Sequence, residues 1–61
     1  MDLTAQIIEF ENGEMDQDSI LDLFQELVNT GLAWKLQGYY GRTANHLISE
    51  GLIYYPNEVR N

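Results

Sequence analysis

Between Ile20 and Val28 the apolar residues fall at 20, 21, 23, 24, 27 and 28, with polar residues filling the gaps. That interval matches the α-helical repeat and not the alternation of a strand. Ile20, Leu23, Phe24, Leu27 and Val28 therefore predict one continuous face, with Leu21 on its flank. Asp16 or Asp18 is placed to cap this helix, and Ser19 with Asp22 offers a capping box in a later frame. Gly31 stops it, and Leu32 is positioned to fold back on the last turn.

The flanking segments follow from the same reading. Leu3, Ile7 and Phe10, widened by Ile8, predict a helix from Leu3 to Asn12, capped by Asp2 and ended by Asn12-Gly13. Leu32 to Gln37 reads as a third helix of about two turns, broken by Gly38. Tyr39-Tyr40-Gly41 reads as a turn, and a fourth helix runs from Thr43 to Glu50 with Ala44, Leu47 and Ile48 inward. Leu52 to Tyr55 has strand propensity but nothing to pair with, so it is expected to lie back over the core. The predicted fold is all-α: a compact domain of three to four short helices over residues 1–55, followed by a flexible tail at 56–61.

At 61 residues without cysteine, the chain has no disulfide or thiolate metal site to supplement a small core. Helix packing or self-association must supply the stability, and a homodimer is compatible with that. The single His and scattered carboxylates predict no metal and no cofactor. No apolar run is long enough for a membrane span, and Met-Asp-Leu-Thr lacks the pattern of a signal peptide, so a cytoplasmic location is expected. No glycine-rich phosphate loop or His-to-acid spacing marks a catalytic centre, and no enzymatic activity is expected.

Charge is the strongest functional signal. Residues 1–30 carry eight carboxylates and no Lys or Arg, whereas residues 31–61 carry Lys35, Arg42 and Arg60 against Glu50 and Glu58. The halves hold −8 and +1, which sum to the −7 of the chain. Such a field favours a protein partner with a basic surface and opposes direct nucleic-acid binding. Glu11, Glu14, Asp16 and Asp18, around a helix end and a connection, are the candidate acidic contacts; as a group they would also suit mimicry of nucleic acid. Their plain alternative role is a solvated, soluble face with ordinary capping.

The second half is rich in amphipathic aromatics. Trp34, Tyr39, Tyr40, Tyr54 and Tyr55 read as a protein-interface hot spot or, for Trp34 and one or two tyrosines, as the completion of a small core; Trp34, Tyr39 and Tyr40, with Arg42 able to stack on a ring, are the candidate contacts. Of these, Trp34 is expected mostly buried, with Tyr39, Tyr40 and Arg42 partly exposed. Leu32 to Ile53 also looks like two helices of a helix-turn-helix, with Arg42, Thr43, Asn45, His46 and Ser49 toward DNA. The interval from Ala33 to Gly38 is one residue longer than that motif uses, and three basic residues are few for a DNA binder.

Three strings carry a family likeness: Glu11-Asn12-Gly13-Glu14, Leu23 through Trp34, and Leu36-Gln37-Gly38 with Tyr40-Gly41-Arg42-Thr43-Ala44. From about Leu3 to Ile53 the chain resembles a family of very short proteins of unknown function from tailed bacteriophages and prophages. The resemblance implies a small phage product in the bacterial cytoplasm that binds and redirects or inhibits a host protein, defence systems included. It implies no catalytic residues.

Overall fold

The computed structural model describes residues 3–56, so the Asp2 cap and the tail beyond Pro56 lie outside the described residues. Three α-helices, α1 (Leu3–Glu11), α2 (Gln17–Thr30) and α3 (Gly38–Ser49), are joined by a connection at 12–16 and a 3-10 turn at Leu32–Trp34. The fold is all-α, and no strand occurs among the described residues. Among the described residues no helix is long and apolar enough to cross a membrane.

α2 is the central element and touches each of the others. Leu23, Phe24, Leu27 and Val28 are buried on it as the periodicity predicts, while Ile20 and Leu21 pack at the edge of the core. Its frame is set by Asp16, whose carboxylate accepts the Ser19 N–H at 2.9 Å. The later capping box at Ser19 and Asp22 is therefore not the one that forms. At the other end Gly31 turns left-handed, with φ 82, and donates its N–H to the Val28 carbonyl. Without a Cβ it adopts that conformation freely. Thr30 Oγ1 lies 3.0 and 3.2 Å from the Glu26 and Leu27 carbonyls and donates to this last turn.

α1 lies on the periphery and has no fully buried residue. Leu3, Ile7 and Phe10 rest half-buried against the core. Ile8 does not extend their stripe: about 100° further round the helix than Ile7, it faces solvent and is 53% exposed. The helix stops where Asn12-Gly13 predicts, through paired bonds from Gly13 N–H to the Phe10 carbonyl and Glu14 N–H to the Glu9 carbonyl.

The segment from Leu32 to Gly41 departs from expectation. The third helix is a single 3-10 turn, in which the Lys35 and Leu36 N–H groups both donate to the Leu32 carbonyl. The expected turn at Tyr39-Tyr40-Gly41 is instead the start of α3, which begins five residues before Thr43. Burial explains the difference. Tyr40 and Ala44, one helical turn apart, both sink into the core. A glycine in a helix costs about 1 kcal/mol, whereas burying a large apolar side chain returns about 1.5–3 kcal/mol. The second half thus holds one helix and one tight turn, not the two helices of a helix-turn-helix.

Past α3 the chain lies back over the core as expected. Ile53 is buried, and the Gln25 side chain clasps the next residue. Its amide donates to the Tyr54 carbonyl at 2.7 Å and accepts the Tyr54 N–H at 2.9 Å. The side chain does what a neighbouring strand would do for an extended segment.

Two glycines should respond in opposite ways to alanine. Gly31→Ala forces a Cβ into the left-handed region and is expected to cost about 1–2 kcal/mol. At Gly41 a Cβ would sit 3.5 Å from the Ala33 carbonyl oxygen and 3.6 Å from Trp34, which is ordinary contact. Gly41→Ala should therefore stabilise α3 by about 0.5–1 kcal/mol. Urea unfolding of both variants checks the pair.

Candidate functional site

The aromatic residues of the predicted interface divide between interior and surface, and not as expected. Tyr40 was expected to be partly exposed but is 4% exposed, inside the core. Its ring lies 5.9 Å from Phe24, 6.0 Å from Phe10 and 5.4 Å from Tyr39. Its hydroxyl donates to the Glu11 carboxylate at 2.5 Å. Burial, then the Glu11 hydrogen bond and charge, push the Tyr40 phenol up to about 12. Tyr40 belongs to the packing that positions the surface, because a half-apolar ring with one satisfied polar tip fits a core this small.

Trp34 shows the converse. It was expected mostly buried and is 45% exposed. The ring leans over Gly41 and beside Tyr55, centroids 6.2 Å apart. Tyr55 in turn reaches the Asn45 side-chain oxygen with a long hydrogen bond of 3.4 Å. Tyr39 is exposed too, stacked on Phe10 at 6.2 Å on the other flank of α3. Arg42 lies on the exposed side of the helix, and its guanidinium folds back along Gly38 and not onto a ring.

The outer face of α3 therefore presents Arg42, Asn45, His46 and Ser49, all exposed. The Trp34–Tyr55 pair borders it on one side and Tyr39 on the other. α3 contains no carboxylate, and Lys35 lies just before it. Tyr55 was read as one of the aromatics open to an interface role but not placed with Trp34, Tyr39, Tyr40 and Arg42, and Asn45 was read only as facing DNA. Ser49 Oγ donates to the His46 backbone carbonyl at 2.8 Å and not to the imidazole.

The four candidate acidic residues are exposed but have different surroundings. Glu11 is held by Tyr40, and Asp16 is the cap of α2. Asp18 lies in the first turn of α2, where the helix dipole favours a negative charge. Glu14 follows the end of α1, its backbone N–H bound to Glu9. Among the described residues no three His, Asp or Glu side chains converge as a metal site would require.

The Tyr40–Glu11 bond is testable. Tyr40→Phe should lower stability by about 1–2 kcal/mol at neutral pH. In the native protein the raised phenol contributes stability that is fully present below pH 10 and lost as pH rises through about 12. The phenylalanine variant should show a flatter alkaline limb in a series of urea titrations. For Asp16 the sign is opposite. The Ser19 backbone N–H, then its hydroxyl, hold that carboxyl below its ordinary value of 3.8. Its contribution is present above that value and lost as pH falls through the folded one. Asp16→Asn should keep the cap at neutral pH and flatten the acid limb.

No curated protein and no solved structure matches the chain significantly. One family model does, that of a domain of unknown function, DUF7417, across residues 1–61, and the chain belongs to this family.

Proposed function

We propose that the protein is a small acidic binding module that engages a partner protein through the outer face of α3 and alters the partner's activity by covering its surface. The observation that carries this reading is the meeting of half-exposed Trp34, Tyr39 and Tyr55 around an exposed Arg42. Trp, Tyr and Arg supply most of the binding energy at protein interfaces. Their rings are held by packing beneath them, so little side-chain freedom is lost on binding. Glu14, Asp16 and Asp18, around the connection and the start of α2, with Glu11 beside the Tyr39–Tyr40 pair, would add long-range attraction toward a basic partner and raise the association rate.

The setting that the resemblance to phage proteins implies is a bacterial cytoplasm, with a host or phage macromolecule as target and inhibition or redirection as the outcome. Direct DNA binding fits less well. Three basic residues in the chain would support a salt dependence of at most about the third power, against a net charge of −7.

Affinity capture from bacterial lysate, with and without nuclease, tests the reading. One protein retained in stoichiometric amount after nuclease is expected. Trp34→Ala with Arg42→Ala should weaken its capture by about thirtyfold, or 2 kcal/mol, while circular dichroism stays native. Undiminished capture by the folded double variant would remove the α3 face from the function. Recovery of DNA alone, lost on nuclease treatment, would overturn the protein-binding reading itself.

A further inference from the structure

Away from the aromatic face, the surface between α1 and α2 is hollowed into two adjoining clefts of about 390 and 290 Å³. Leu3, Gln6, Asp22 and Glu26 line the first; Gln6, Glu9, Met15, Ser19 and Asp22 line the second. Gln6 and Asp22 are common to both, so the two form one groove. Leu3 and Met15 are half-buried in it and continuous with the core, while Glu9, Asp22 and Glu26 are exposed. The groove is thus apolar at its floor and anionic at its rim.

The anionic rim has no basic residue on either of the helices that form it. Asp18, Asp22 and Glu26 recur every four residues and so lie along one stripe of α2. Like charges at that spacing destabilise a helix, and residues 1–30 contain no Lys or Arg to offset them. Solubility alone would be served as well by carboxylates interspersed with lysines. A negative field over a low-dielectric hollow concentrates cations there. Lysine and arginine suit both parts of such a groove, since their aliphatic stems cover apolar surface while the charged ends reach carboxylates.

We propose that the α1–α2 groove docks a cationic segment of a partner protein, a stretch with two or three Lys or Arg and at least one apolar side chain between them. The nine residues of α1 give the groove a length of about 13 Å, which holds about four residues of extended chain. A second copy of this protein fits poorly, because each copy brings a charge of −7. The assignment rests on the reading of the protein as a binding module, and it adds the chemistry of the segment recognised and a second contact surface.

The probe is a six-residue peptide of alternating Lys and Leu, titrated into isotope-labelled protein and followed by NMR. Saturable shifts are expected at Leu3, Gln6, Met15, Ser19 and Asp22, and the matching Glu-Leu peptide should cause none. Asp22→Lys with Glu26→Lys should weaken binding by about tenfold or more, through lost charge-assisted contacts. Asp22→Asn with Glu26→Gln should weaken it as well, whereas Glu50→Lys makes the same change in net charge as that pair but outside the groove and should stay within about threefold of the native protein. Weakening by Glu50→Lys equal to that by Asp22→Asn with Glu26→Gln, or shifts centred on Tyr39, Arg42 and Asn45, would overturn the groove assignment. Either result leaves the α3 face standing, because that face is judged separately by capture with the Trp34 and Arg42 variants.

Discussion

Burial of one tyrosine ring joins the three helices. α1 and α3 make no close backbone approach; they meet through Phe10, Tyr39 and Tyr40, and through the hydroxyl of Tyr40 on Glu11. Phe24 supplies the third side of the cluster from α2, edge-on to Phe10 and stacked with Tyr40. Aromatic pairs at these separations contribute about 0.5–1.5 kcal/mol beyond their area, a large share where eight core residues are buried among those described. The same ring draws the start of α3 back to Gly38 and fixes which residues face outward. The candidate interface is therefore a consequence of the core, since Tyr39 and Arg42 are exposed because Tyr40 is not.

What could be read from the sequence tracks how local the deciding interaction is. α2 was legible because its apolar repeat, its Asp16 cap and its Gly31 stop all lie within one short stretch. The end of α1 at Asn12-Gly13 was legible for the same reason. Between Leu32 and Gly41 the local signals, two glycines and adjacent tyrosines, pointed to turns, and the contacts that overruled them came from α1 and α2. One clue was present: Tyr40, Ala44, Leu47 and Ile48 share a helical stripe if the helix is carried back past Thr43. That stripe also separates Tyr40 from Tyr39 and would have placed one inside and one outside. The clasp of Tyr54 by Gln25 spans 29 positions and leaves no local trace.

The charge division seen along the chain becomes a division in space. Carboxylates cover α1, α2 and their connection, while α3 carries none and lies next to Lys35. A partner with a basic surface would thus be drawn first to the α1–α2 side, where the field is strongest. The aromatic face can then contribute only if the partner spans around the domain or presents two elements to it. At 36 Å in its longest dimension and 22 Å across, the chain is small enough for both surfaces to meet one protein. Two separate contacts on one rigid body multiply in effect without either being strong alone.

A chain this short leaves apolar surface exposed whatever it does, because about 60% burial is the most its size allows. The placement of the remainder is what carries information. Among the described residues, three of the six large side chains left about half exposed, Trp34, Tyr39 and Tyr55, border the outer face of α3. Each has an N–H or O–H at its tip, so it remains hydrated in the free protein and can bury its ring against a partner. Aliphatic residues at the same positions would favour indiscriminate association. Aromatics with polar tips combine ring area for a contact with hydration in the free protein. On the proposed reading, that is what a small domain covered by another molecule requires.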